Sequence, residues 1–236
     1  MKKLIYVVLP LIISFLIFLY TLTFHNTVAT AKQTQKSGNQ PIVIIDAGHG
    51  GFDGGAVAND GTVEKDINLS ISLYLQEYLS IFNIKTVMIR ETDCSVEDDG
   101  LNTIKQRKTS DLHNRMAVME ETENAIYISI HQNKYTDSKY SGTQVFYSPK
   151  TRDDSQILAQ SIQECIVNTL QKDNKRQIKE CGTSVFLMYN AVKPAVLVEC
   201  GFLSNYEETQ KLKSSEYQKK IAFCIAIGIQ NYLNWS

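Results

Sequence analysis

Four short apolar runs constrain the fold more than any other feature of the chain: Ile42–Asp46 ("IVIID"), Thr86–Arg90 ("TVMIR"), Ala125–Ile130 ("AIYISI") and Ala195–Glu199 ("AVLVE"). Each is too short for a helix and bounded by turn residues or helical patterns, so each reads as a buried strand. Helical periodicity fills the gaps. Glu64–Phe82 spaces Ile67, Ile71, Leu75 and Leu79 along one face, with Leu69, Leu73 and Tyr78 widening it. Arg107–Thr122 sets Leu112, Met116 and Met119 on one side, Gln156–Leu170 is a third helix, and Glu207–Leu233 is a terminal helix broken near its start. Thr143–Tyr147 is a further strand and Ser184–Met188 a candidate strand. Strands alternating with helices predict an α/β fold: a single domain with a largely parallel, mixed central sheet and helices on both faces. Thr143–Tyr147 follows the preceding strand too closely for a helical crossover, so antiparallel pairing is expected there.

The N-terminus is a different material. Lys2 and Lys3 precede Leu4–Phe24, 21 uncharged and mostly apolar residues. A bilayer needs ~20 such residues. The length of the run favours a membrane anchor, preceding the domain as a hydrophobic helix; the small-residue triplet Ala29-Thr30-Ala31 favours a cleaved signal peptide. Either reading of residues 1–24 sends the rest of the chain outside the cytoplasm, because the lysines lie before the span. Residues 25–40 are polar and poor in large apolar side chains, as in a flexible linker. Residues 41–236 then form one domain, a size at which ~70% of the unfolded chain's surface is buried.

The net charge is −1, and no basic block suggests a nucleic-acid partner. Removing Met1–Ala31 would take away two lysines and leave −3. The five cysteines (94, 165, 181, 200 and 224) are odd in number and lack CxxC spacing, so no disulfide is demanded, and Cys165 and Cys224 sit in apolar helical patterns as core thiols.

Ligands of open α/β sheets bind beyond the carboxyl ends of the strands. His49 follows the first strand in "DAGHGGFDGG", Glu64 opens the next helix, His131 follows the third strand, and Glu199 ends "AVLVE". Singly, each has a bland explanation: a lone histidine is usually structural, and a glutamate at a helix start serves the macrodipole. Their joint arrival at one sheet edge is harder to dismiss. The glycine-rich turn is not a phosphate loop. GxGxxG from Gly48 meets Asp53 where glycine is needed, and a P-loop from Gly50 meets Ala56 where lysine is needed. A catalytic zinc takes three protein ligands, two His and one Glu being an established set. His49, Glu64 and His131 supply that set, and Glu199 supplies a second carboxylate to handle protons. The glycines give clearance around His49. Asp46 either orients a histidine or bonds its own turn. His113 lies within a helix and reads as an exposed or capping side chain.

The blocks "IVIIDAGHGGFDGG", "EKDINLSISLYLQEYL", "YISIHQN", "GTQVFYS" and "KPAVLVECGFLSN" together resemble the zinc-dependent N-acetylmuramoyl-L-alanine amidases of the Amidase_3 family, most closely its CwlD-type germination-specific group. The resemblance spans residues 41–236. It implies that His49, Glu64 and His131 bind Zn2+, one per chain, and that Glu199 is the catalytic glutamate. The implied reaction is hydrolysis of the amide between N-acetylmuramic acid and L-alanine of peptidoglycan, in spore cortex, ahead of muramic-δ-lactam formation and germination. An extracytoplasmic location in the space between forespore and mother cell, or in the cortex, goes with this, as do membrane attachment through the N-terminal segment and an accessory sporulation lipoprotein. Arg115 matches a family arginine without a catalytic assignment. Many relatives have "IHAN" where this chain has His131-Gln132-Asn133, so altered substrate contacts are expected near Gln132. The stretch Gln132–Ser141 is too short for the inhibitory helix of some relatives.

Two other readings compete. A cysteine hydrolase would use Cys200 with a histidine, although Cys200 and Glu199, adjacent on a strand, face opposite sides. A non-catalytic wall-binding scaffold could share the fold.

Overall fold

The computed structural model describes residues 40–235. The expected segment 1–24 and all but the last residue of the expected linker lie outside this range. No helix among the described residues is long and apolar enough to cross a membrane.

The chain runs β1 (Ile42–Ala47), α1 (Glu64–Ile81), β2 (Thr86–Met88), α2 (Ile104–Glu121), β3 (Ala125–Asn133), β4 (Gln144–Tyr147), α3 (Arg152–Thr169), β5 (Lys179–Glu180), α4 (Phe186–Asn190), β6 (Ala195–Phe202), α5 (Tyr206–Lys213) and α6 (Ser215–Trp235). The six strands lie in the order β2-β1-β3-β6-β4-β5. β2, β1, β3 and β6 are mutually parallel, while β4 is antiparallel to β6 and parallel to β5. The mixed α/β sheet and the antiparallel turn at the fourth strand are therefore as the sequence leads one to expect.

Each face of the sheet has its own core. Ile45, Ile128, Ile130, Val145, Val196 and Val198 pack under α1, α3 and α6, whose Ile67, Ile71, Leu75, Ile162 and Ile225 are buried. Ile44, Tyr127 and Leu197 pack on the other face against Met116 and Met119 of α2 and Leu187 and Met188 of α4. So α1 and α2, which flank β2 in sequence, cover opposite faces. The chain leaves β1 on one side and returns past it to β3, which makes the β1/β3 boundary a topological switch point where an open sheet forms a crevice.

Several boundaries differ from expectation. α2 starts at Ile104 because Thr103 and Gln106 form a reciprocal capping box, with Thr103 Oγ1 accepting from Gln106 N at 3.2 Å. Leu112 is exposed, and Arg115 is buried on α2 in its place. Ser184–Met188 is not a strand: Phe186–Asn190 is a short helix, its apolar residues facing the α2 side. β5, two residues of charged sequence, has no apolar pattern to announce it. β3 and β6 run on to Asn133 and Phe202, so His131 and Glu199 lie inside strands and not beyond them. All five cysteines are free.

Candidate active site

β1 delivers the chain into Gly48–Gly55 at the switch point. His49 has φ 63°, a left-handed conformation uncommon for any residue other than glycine. Such backbone costs on the order of 1–3 kcal/mol and persists only where its surroundings enforce it. Here two buried arginines do so through carbonyl groups. Arg115 Nη2 donates to His49 O at 2.8 Å, while Arg90 Nε donates to Ala47 O at 2.8 Å and Arg90 Nη2 to Gly48 O at 3.1 Å. Gly50 and Asp53 close the turn with reciprocal backbone bonds of 2.9 and 3.0 Å.

Asp46 takes neither of its two expected roles. It pairs with Arg115 and accepts from Ser129 Oγ at 2.8 Å. Burial pushes its carboxyl up, but the Arg115 guanidinium, with smaller contributions from His131 and the Ser129 hydroxyl, outweighs that and holds it below the usual range. The carboxylate that orients a histidine is Asp53. His49 Nδ1 donates to Asp53 Oδ2 at 3.0 Å, and Lys108 Nζ lies 3.0 Å from Asp53 Oδ1. Its position four residues past His49, inside the glycine turn, was the available signal. With Nδ1 engaged, His49 Nε2 is left facing Glu64 Oε1 at 3.4 Å.

Glu64 is the first residue of α1 and is buried. Its Oε2 accepts from Ala56 N at 2.7 Å, and its Oε1 from Gln132 N at 3.0 Å and His131 Nδ1 at 2.9 Å. Burial opposes its charge, yet the bonds and charges of His131 and His49 hold its carboxyl well below the usual range. Burial likewise disfavours charged His49, but bonds from Asp53 and Glu64 prevail and raise it from 6.5 to about 9. The imidazole rings of His49 and His131 meet edge to face, 4.9 Å apart. One ligand-type atom from each of His49, Glu64 and His131 falls within 4.8 Å of the others. A divalent cation fits such a set by replacing the protons that now hold the three groups together.

The glycines are more specific than expected. A Cβ on Gly48 would stand 2.2 Å from His131 Nε2, and one on Gly55 would stand 2.6 Å from Glu64 Oε2 and 2.7 Å from His49 Cδ2. The turn clears space for all three side chains, not for His49 alone.

Glu199 faces His131 across the β3/β6 pairing. The residue is only partly buried, but its Oε2 is enclosed and has no hydrogen-bond partner. Burial, reinforced by the charge of Glu64 and opposed by His131, raises its carboxyl from 4.5 to about 7. Cys200 points the other way: fully buried beside Val198, its thiol is pushed up by burial and by Glu199. Gln132 is also on the far face, donating to Asn68 Oδ1 at 3.2 Å. It is buried and braces the support of Glu64. His113 is exposed and stacks on Phe186 at 5.3 Å, away from the cluster. The β3–β4 connection carries no helix.

A mixed sheet that gathers two imidazoles and a carboxylate at its switch point, beside a second carboxylate poised near neutrality, has the makings of a metal-assisted hydrolase. The profile of the N-acetylmuramoyl-L-alanine amidases (Amidase_3) matches residues 43–231, and the chain belongs to that family of peptidoglycan amidases. The germination-specific N-acetylmuramoyl-L-alanine amidase of Bacillus subtilis (strain 168) is 36% identical over 191 residues, 81% of this chain and 79% of the relative. The structure of the CwlD amidase from Clostridioides difficile in complex with the GerS lipoprotein superposes with TM-score 0.80 at 39% identity, covering 84% of this chain and all of that one. An N-acetylmuramoyl-L-alanine amidase from Clostridium difficile 630 gives TM-score 0.72 at 30% identity over 84% of this chain and 98% of that one.

Proposed function

We propose that this amidase is zinc-dependent, with His49, Glu64 and His131 as ligands and Glu199 as the catalytic carboxylate, and that it strips stem peptides from spore-cortex peptidoglycan before muramic-δ-lactam forms. The observation that carries the reading is the three-residue cluster with the unpartnered Glu199 oxygen beside it. Bound zinc would polarise the scissile carbonyl and lower the pKa of water. Asp53 fixes the His49 tautomer so that Nε2 faces the cluster. Ala56 N and Gln132 N fix the Glu64 carboxylate. Glu199, raised to about 7, accepts a proton from the attacking water and returns it to the departing alanine nitrogen. The similarity to a germination-specific amidase supports the cortex as the site of action, and the lipoprotein complex of the CwlD amidase supports an accessory lipoprotein here. Together with the apolar segment 1–24 they favour an extracytoplasmic, membrane-attached or secreted enzyme.

Glu199→Gln should keep stoichiometric zinc by elemental analysis while kcat falls ~10²–10⁴-fold. Chelation should abolish release of stem peptides from cortex fragments, and zinc should restore it. Normal digestion by Glu199→Gln would falsify the assignment. The cysteine-hydrolase alternative is disfavoured by the burial of Cys200 on the opposite face; a non-catalytic scaffold would leave cortex uncut with zinc and partner supplied.

A further inference from the structure

We propose that Arg176 anchors a carboxylate of the stem peptide and thereby sets which peptides the amidase accepts. This rests on the reading of His131 and Glu199 as the reacting edge. The register of β3 and β6 shifts there: His131 faces Glu199, but Asn133 faces Phe202, so β6 carries one extra residue between the two pairs. In a regular strand Phe202, three residues past Glu199, would point to the opposite face. The bulge instead turns Gly201 toward the α5 side, where a Cβ would stand 3.1 Å from Leu212, and returns Phe202 to the face of Glu199. On the other flank, Gln144 of β4 pairs directly with Glu199 and shares its face.

Arg176 joins these two neighbours. Its guanidinium carbon lies 4.5 Å from the Phe202 ring centroid, its Nη1 donates to Gln144 Oε1 at 3.2 Å, and its Nε donates to Ser141 O at 2.7 Å. The guanidinium therefore stands on the site face, roughly two strand spacings or ~10 Å from Glu199. It is half-buried and has no carboxylate within 4.0 Å among the described residues, unlike Arg107 and Arg152, which pair with Glu97 and Glu180. The acid nearest in influence, Glu208, is occupied by Gly142 N and Phe202 N.

A planar guanidinium fixed along one edge is built to take a carboxylate on another. The substrate's chemistry says which carboxylate. The lactyl carboxyl of N-acetylmuramic acid is consumed in the scissile amide, and the N-acetylated sugar is neutral, so only the stem peptide carries free carboxylates. An extended peptide covers ~3.3–3.6 Å per residue, which places the anchored group about three residues beyond the cut.

The test uses the zinc-loaded full chain and two muropeptides of one sequence, with the stem-peptide carboxylates either free or amidated. Wild type should prefer the free acid by about tenfold or more in kcat/KM, expressed in KM, as expected for a charge-assisted hydrogen bond. Arg176→Gln should erase the preference while kcat on the amidated peptide stays within about twofold, and Arg176→Lys should restore part of it. Equal kcat/KM for the two peptides with wild type overturns the proposal and leaves the amidase reading standing. A preference that survives in Arg176→Gln assigns the carboxylate to another cation and also overturns it. Cleavage of neither peptide by wild type overturns the reading of the site and the proposal with it. The wild-type comparison can overturn the proposal without any variant, and if Arg176→Gln misfolds, Arg176→Lys carries the test: a preference undiminished in Arg176→Lys overturns the proposal.

Discussion

At the scale of single residues, the constraint that bears most directly on the cluster is the 2.2 Å between a Cβ at Gly48 and the Nε2 of His131. Gly48 does not adopt a left-handed conformation, so its requirement is purely one of space. Gly48→Ala must push His131 away from Glu64 or distort the β1 exit. The expected result is a folded domain that loses zinc in a competition assay with a chromophoric chelator, at least ~10-fold weaker than wild type, as for other disturbances of ligand support. Unchanged affinity would mean that His131 is not held where it ligates. The same residue pair marks what the sequence could and could not tell. His49, Glu64, His131 and Glu199 were legible as candidates because each lies at the end of an apolar run, in the turn after one, or at a helix start. Asp53 was not, because a carboxylate in a glycine turn has an ordinary role as a turn former. Asp46 was misassigned because its partner Arg115 lies 69 residues away in sequence, on α2.

Among the elements, α3 and α6 pack backbone close to backbone at Gly228. A Cβ on Gly228 of α6 would stand 2.6 Å from Ile162 Cα on α3, and Ser161 Oγ donates to Gly228 O at 2.8 Å. Glycine inside a helix ordinarily costs about 1 kcal/mol relative to alanine. Here the substitution should act in the opposite direction, because the obstacle is backbone that cannot rotate away. Gly228→Ala is expected to destabilise by about 1–3 kcal/mol through overpacking. For a domain of this size that is a fall in Tm of about 2–4 °C per kcal/mol, measured by calorimetry. Since neither helix touches the His49–Glu64–His131 cluster, zinc content should be unchanged. Element identity was readable wherever apolar spacing persisted over several turns, as in α1. It was unreadable in Phe186–Asn190, where one helical turn and a short strand bury the same apolar residues, and at the far ends of β3 and β6. There pairing continues past the apolar runs because backbone bonds, not side chains, extend the strands.

At the scale of the molecule, the proposed metal would tie together three pieces of chain: the β1 exit, the start of α1 and the end of β3. Without it, protons do the tying, and they leave at different pH values. His49, raised from 6.5 to about 9, favours the fold fully below pH 6.5 and loses that contribution as pH rises through 9. Glu199, raised from 4.5 to about 7, contributes below pH 4.5 and loses it as pH rises through 7. Metal binding has the reverse dependence, because the ligands must be deprotonated. The gap in Tm between zinc-loaded and chelator-treated protein should therefore widen from about pH 6 to about pH 9. A gap that narrows over this range would exclude His49 from the ligand set.

The outermost strands have a separate consequence. β2 is three residues long and β5 only two, a lysine and a glutamate. A sheet edge recruits foreign backbone only if it offers a continuous row of unpaired N–H and C=O groups. These margins are too abbreviated to template such growth. Many copies can therefore crowd onto an insoluble polymer without zipping into fibrils, and the long, apolar central strands that build the site stay shielded from one another.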